Sequence, residues 1–275
     1  MNRSELAALE HENWIAYLAA SVTLNAHGLM VRDRGIATLL GHVPMRFFNQ
    51  ILVEHSGASA SAIGEGVAVG RERGDPFVVS LREGLDDRFS PLMTDLGLVA
   101  SPDAATLAMA LDPLRGRELP ANPDAVFEIR QVTDAAGLED HRRAVSAGFG
   151  ADRSVAEAMM PIGLLDRSEG AVYVGYLAGE PVTSGLGWRT GRTIGVYNIA
   201  TIPTARRRGF GEAMTARVLS DGQAAGCEVA SLQASPMGRQ VYERLGFREV
   251  LRYAGYVDPS GEGSPMRTAG QIARA

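Results

Sequence analysis

The sequence predicts an α+β protein of two similar halves, each a mostly antiparallel mixed sheet flanked by helices. Three observations lead there. A proline-rich stretch, DPLRGRELPANPDA at 112–125, reads as a linker and places one domain at 1–122 and another at 123–275. The second half alternates strand and helix patterns in the order β-α-α-β-β-β-α-β-α-β. The first half repeats landmarks of the second at a constant offset of 149: FFNQILV against VYNIATI sets Asn49 on Asn198, and LMTDLGL against VYERLGF sets Gly97 on Gly246. In that register GASASA (57–62) stands against RRRGFG (206–211), and Met93 against Tyr242. The first half therefore keeps the layout and lacks the arginines, the glycines and the tyrosine.

The elements of the second half follow from local pattern. VFEIRQV (126–132) is a short strand, and DAAGLEDHRRAVSAGF (134–149) a helix with Asp134 as N-cap. A second short helix lies near RSVAEAMM (153–160). Residues 171–203 hold three strands with turns at Gly179 and Gly191, and Pro203, lacking a backbone donor, ends the third. A helix from Gly209 to about Ala225 sets Phe210, Ala213, Met214 and Val218 on one stripe. CEVASLQA (227–234) is a strand with Cys227 as a buried thiol, MGRQVYERL (237–245) a helix burying Met237, Val241 and Leu245, and FREVLRYAGYV (247–257) a final strand. The tail from Asp258 reads as coil.

Composition narrows the function. Of 275 residues, 45% are hydrophobic and 21% charged, with net charge −5, the profile of a soluble globular protein without a basic field for nucleic acid. No apolar run approaches the ~20 residues of a membrane span, and the N-terminus lacks a secretory apolar core. One cysteine excludes an internal disulfide framework and fits a reducing cytoplasm. The five histidines are scattered without ligand spacing, so no metal is expected.

TARRRGFGEA (204–213) concentrates cations in an acidic chain. A strand runs through Pro203 into arginines, then Gly-Phe-Gly opens a helix. The first turn of a helix leaves N–H groups unpaired at the positive end of its dipole, and Gly209 and Gly211 let the backbone approach a ligand without a Cβ in the way. Together these form a nest for phosphate oxygens, with bidentate donors added by arginine. A P-loop would need Gly-Lys-Ser/Thr where Glu212-Ala213 stands, and a dinucleotide fingerprint would need a third small residue where Met214 stands.

NIATIPTARRRGFGEAM followed by SPMGRQVYERLGF resembles the GNAT superfamily of acyl-CoA-dependent N-acetyltransferases. The family's phosphate loop, Gln/Arg-x-x-Gly-x-Gly/Ala, is matched by Arg206, Gly209 and Gly211, and its later Leu-Tyr-Glu-x-Leu-Gly-Phe signature by Val241 to Phe247. The resemblance covers about residues 126 to 256, and the layout is similar to tandem GNAT proteins whose N-terminal copy is degenerate. It implies two GNAT-like domains, with a splayed sheet centre in the second.

The resemblance also implies roles. Backbone N–H groups from Arg207 to Glu212, through Arg208, Gly209, Phe210 and Gly211, would hold the pyrophosphate of acetyl-CoA, the co-substrate. The strand edge at Ile199, Ala200 and Thr201 would pair with the pantetheine amides like an added strand. A neutral primary amine would attack the thioester directly, and Tyr242 stands at the general-acid position, where its phenol would protonate the leaving thiolate. The alternative for Tyr242 is a packing role. Ser235 replaces the family's frequent Asn seven residues before the Tyr and keeps a hydrogen-bonding group there. The usual Glu on the central strand is missing, since GVYNIAT offers only Tyr197 and Asn198. Asn198 either orients a water for deprotonation or marks a strand bulge.

The implied activity is N-acetyl transfer to a small-molecule or protein amine, by a cytoplasmic monomer or homodimer. The competing reading is a non-catalytic acyl-CoA-binding regulator, and a third makes the first half a protein-recognition module. Acceptor sites in this family draw on the helices near 134–165, where Asp152, Asp166 and Glu169 are the acids, for which solvated surface is the competing role.

Overall fold

In the computed structural model, which describes residues 1–114 and 126–261, the chain opens with a helix the sequence analysis does not predict, α1 (Arg3–Leu24). β1 (Leu29–Asp33), β2 (Ile36–Leu40) and β3 (Asn49–Val53) form an antiparallel meander, and α2 (Ala60–Arg73) crosses over to β4 (Val78–Arg82), parallel to β3. α3 (Ser90–Asp95), β5 (Val99–Ala100) and β6 (Thr106–Leu111) complete the first half. The second half runs β7 (Phe127–Gln131), α4 (Ala135–Phe149), α5 (Arg153–Met159), β8 (Gly170–Leu177), β9 (Glu180–Thr190), β10 (Thr193–Thr201), α6 (Phe210–Ala224), β11 (Val229–Ala234), α7 (Arg239–Arg244) and β12 (Arg248–Val257). This is the predicted element order. Most of the predicted linker, residues 115–125, and the tail beyond residue 261 lie outside the described residues.

The repeat at offset 149 is structural. Adding 149 to α3 (90–95) gives α7 (239–244), and β3-α2-β4 has the same parallel crossover as β10-α6-β11. The α+β class therefore holds.

The chain divides into two compact units, but not at a single cut between residues 122 and 123. Of the described residues, the larger unit takes Met1–Tyr17 with Ala108–Val250, and the smaller takes Leu18–Leu107 with the residues from Leu251 to Gly261. The cause is strand use. The sheet of the larger unit runs β6-β11-β10-β9-β8-β7, so its β11 edge is completed by a strand from the first half. The smaller unit's sheet runs β1-β2-β3-β4-β12 and is completed by the last strand of the second half, with Tyr253–Val257 antiparallel to Val78–Arg82.

Packing follows the predicted stripes. Phe210, Ala213, Met214 and Val218 of α6 are buried, and Phe127 of β7 stacks on Phe210 with centroids 4.4 Å apart. Asp134 caps α4 by accepting from Gly137 N–H at 2.8 Å. Cys227 is buried, two residues ahead of β11 rather than on it. The prediction for α7 needs correction in part: Leu245 is buried as expected, but Met237 precedes the helix and is 55% exposed, and Tyr242 is the buried residue of the helix itself. With only six residues, α7 makes under two turns, too short for a row from 237 to 245 to share one face. Among the described residues no helix is long and apolar enough to cross a membrane, and no cluster of three His, Cys, Asp or Glu side chains could hold a metal ion.

Candidate functional site

The site grows from the seam between β10 and β11. These strands pair in parallel only at Thr193–Gly195 against Val229–Ser231, then separate, although β10 continues to Thr201 and β11 to Ala234. A bulge marks the divergence: Tyr197 pairs with Leu186 but Ala200 with Ser184, and Asn198 has φ +52°. Of the two readings of Asn198, the bulge is thus realised, since its extra residue re-aims the strand end. Its side chain is also engaged, donating from Nδ2 to Met160 Sδ at 3.1 Å.

The bulge decides which backbone groups face the splay. Ile202 N–H donates to Val182 O, so Ala200, two residues earlier, also points its backbone at β9. Ile199 and Thr201 alternate to the open side. Of the three predicted pantetheine partners, Ile199 is turned to the open side, the Thr201 carbonyl is taken by Arg206, and Ala200 packs beside Gly148 of α4 and accepts from Thr183 Oγ1 at 2.7 Å.

Beyond β10 the chain turns through Pro203–Ala205 into the arginine loop. Arg207 and Gly209 both sit in the left-handed region, at φ +61° and +83°, and Gly209 is the N-cap of α6. Successive turns of this kind point neighbouring N–H groups into one concavity. Ala213 is the first to bond within the helix, to Gly209 O at 2.9 Å, so the donors of Phe210, Gly211 and Glu212 belong to the orphaned first turn. A Cβ on Gly211 would meet only Thr201 Oγ1 at 3.5 Å and Ile199 Cγ2 at 3.9 Å, ordinary contacts. Packing within the protein thus does not require glycine at 211.

The side chains of the loop divide the work. Arg206 does not aim its guanidinium at that concavity; it donates to Thr201 O at 3.1 Å and Gly148 O at 2.7 Å, tying strand end to helix α4. Arg207 and Arg208 are exposed, with the Arg208 guanidinium 4.8 Å over the Phe210 ring. Phe210 itself is core, so only its backbone is available. Glu212 accepts from Arg244 at 3.0 Å, fixing the start of α6 to the end of α7.

That pair brings Tyr242 of α7 to the same region. Burial raises its phenol to about 12, so it stays a proton donor at neutral pH. Its ring lies edge-on to Phe247 at 6.0 Å. Ser235 Oγ accepts from Gly238 N–H at 3.1 Å and so shapes the turn into α7, while Gly238 sits against both Ser235 and the Tyr242 ring. Asp152 and Asp166 are exposed, and Glu169 pairs with Arg167 on the surface.

Sequence reasoning missed one whole contributor. The part of α1 up to Tyr17 packs on β9 and β10: Tyr197 donates to Asn13 Oδ1 at 2.6 Å, Tyr17 stacks on Tyr197 at 3.8 Å, and Asn13 Nδ2 donates to Trp188 O. Gly195 permits the approach, since a Cβ there would lie 1.9 Å from Asn13 Oδ1. The available signal was the polar trio Glu10, His11 and Asn13 amid apolar residues, all now buried.

Comparisons with known proteins agree with this geometry. Residues 168–249 match the family description of the acetyltransferase (GNAT) domain. The match takes in β8 to α7 and the start of β12. No curated protein matches the chain by sequence. Among solved structures, a GCN5-related N-acetyltransferase from Kribbella flavida is 17% identical, with 95% of this chain and 99% of that one covered and a TM-score of 0.69. One from Sphaerobacter thermophilus is 15% identical over 87% and 79%, with a TM-score of 0.57. A tandem GNAT protein of the clavulanic acid biosynthesis pathway is 13% identical over 93% and 95%, with a TM-score of 0.58. At these identities the likeness is one of fold, and it extends over both halves. The GNAT domain supports acyl transfer as the class of chemistry.

Proposed function

We propose that this protein is an N-acetyltransferase that moves the acetyl group of acetyl-CoA to a primary amine by direct attack. The observation that carries the reading is the conjunction of an αL-opened helix start, a splayed strand with a free edge, and a buried phenol beside them. The N–H groups from Arg207 to Glu212 would hold the pyrophosphate, and the Ile199 backbone the pantetheine arm. Acetyl-CoA supplies an activated thioester. Tyr242, kept neutral by burial, donates its proton to the departing thiolate, while the space left by Gly211 admits the cofactor chain. The acceptor is a small-molecule or protein amine, and the metal-free mechanism needs no further cofactor. The organisation parallels the tandem relatives, with the arginine loop in one half alone.

A screen of amines with acetyl-CoA, read as released thiol, tests the activity. Turnover of at least one amine, abolished by chain lacking acetyl-CoA affinity, is expected. Binding of acetyl-CoA with no thiol release from any amine would establish the regulator instead.

A further inference from the structure

Past Gly195, β10 has no strand paired on its β11 side, and the bulge breaks its register with β9 between Tyr197 and Ala200. A strand end held from one side, across a bulge, opens easily unless other contacts fix it. Two contacts do so here, and both come from outside the sheet. Gly148 of α4 lies against the strand end: a Cβ there would sit 2.7 Å from Ala200 Cβ and 3.2 Å from Thr201 N, so glycine is what lets the helix come this close. Arg206 bridges the two elements at that same point, its Nε donating to Thr201 O at 3.1 Å and its Nη2 to Gly148 O at 2.7 Å.

The bridge also answers a need on the helix side. Gly148 O belongs to the last turn of α4, where carbonyls lack an intrahelical partner, and α4 carries no basic residue of its own in that turn. A guanidinium supplies both the donor and the charge that a helix C-terminus favours. Two carbonyls on different elements suit its planar fork, which a lysine ammonium does not reproduce. Arg206 is half-buried between strand and helix, whereas Arg207 and Arg208 are exposed. The loop position that matches the phosphate motif thus spends its side chain on the strand edge.

We propose that Arg206 is a positioning residue for the pantetheine arm of acetyl-CoA, acting through the end of β10, and not a ligand of the pyrophosphate. The inference rests on the acetyl-CoA reading. By clamping Thr201 to α4, Arg206 holds the Ile199 backbone toward the splay before any ligand arrives. An arm that adds itself as a strand to this edge then meets backbone already in place, and the cost of ordering it is absent from binding. By taking the Thr201 carbonyl, Arg206 also marks where that edge ends.

The test separates the two parts of the ligand. Wild type, Arg206→Met and Arg206→Lys are titrated by calorimetry, directly or in competition, with acetyl-CoA and with adenosine 3′-phosphate 5′-diphosphate, which keeps the 5′ phosphates and lacks the arm. In Arg206→Met the affinity for acetyl-CoA is expected to fall about tenfold, while that for the nucleotide stays within about twofold. Arg206→Lys should show the same split, because one ammonium lacks the fork that reaches two carbonyls. Equal losses for both ligands would make Arg206 a phosphate ligand, and unchanged affinities would make it dispensable; either result overturns the proposal. A purely structural role lowers the melting temperature but leaves the ratio of the two dissociation constants at its wild-type value, which overturns it as well. If Arg206→Met does not fold, Arg206→Lys carries the test, and wild-type affinity for acetyl-CoA in that variant refutes the clamp. Wild-type protein that binds neither ligand overturns the acetyl-CoA reading itself, and the role of Arg206 with it.

Discussion

Replacing Tyr242 by Phe separates catalysis from packing because the structure gives opposite signs for the two. The phenol is buried, and its pKa is raised to about 12 by desolvation. At pH 7 roughly one molecule in 10⁵ is ionised, so Tyr242 is a donor throughout the neutral range. Deleting the oxygen leaves the ring in place, so folding stability should stay within about 0.5 kcal/mol of wild type. The ring keeps its contact with Phe247. Turnover, by contrast, should fall roughly 10²–10⁴-fold, the range for loss of a general acid. Urea unfolding and steady-state thiol release on the same preparation supply both numbers. Near-normal turnover combined with a stability loss above ~1 kcal/mol would refute the acid role and make Tyr242 a packing residue.

Three other perturbations follow from the geometry. His141 is buried with Nε2 unpartnered, Nδ1 on Tyr173 O at 2.9 Å, and a pKa lowered to about 4 by desolvation. The unfolded chain takes up this proton below about 6.5 and the native protein only near 4, so its share of stability is full above 6.5 and about 3 kcal/mol is lost by pH 4. Urea titrations across that window should show the loss, and a His141→Asn variant should lose the slope. Gly195→Ala drives a Cβ into Asn13 Oδ1 and the Tyr197 ring, and should cost ~3 kcal/mol or more by dislodging α1, read by thermal unfolding; a change below ~1 kcal/mol would mean α1 docks weakly. Gly211→Ala should leave the melting temperature within a few degrees while weakening acetyl-CoA about tenfold, and unchanged affinity by calorimetry would remove the Gly211 gap from the binding path.

Much of this was legible in the sequence because it is local. Turn glycines, the Pro203 stop, the α6 stripe and the loop that opens α6 are set by neighbours in the chain, and the offset of 149 carried the architecture into the first half. What was hidden depends on distant partners. Nothing near residues 106–111 or 248–257 says that β6 completes the sheet at β11 and β12 the sheet at β4, so the domain cut was drawn in sequence order. α1 escaped because buried Glu10, His11 and Asn13 interrupt its apolar stripe, and their reason lies on β10 and β11. Arg206 matches a motif position, but only the fold reveals that its guanidinium is spent on Thr201 and Gly148 carbonyls. The sequence pattern buried Met237, Val241 and Leu245 in α7, and the brevity of the helix made Tyr242 its buried side chain.

The central claim is that the arginine loop at the start of α6 holds the pyrophosphate of acetyl-CoA, and that the matching loop of the first half does not. Calorimetric titration of acetyl-CoA into wild type, Gly209→Asp and Ala60→Asp tests both parts. Gly209 is the αL N-cap of α6, where Asp adds a carboxylate at the place an anion must sit. Ala60 is its counterpart at the offset of 149, the first residue of α2. Wild type and Ala60→Asp should bind alike, and Gly209→Asp at least ~100-fold more weakly. Equal binding by Gly209→Asp, or a loss in Ala60→Asp alone, would contradict the account.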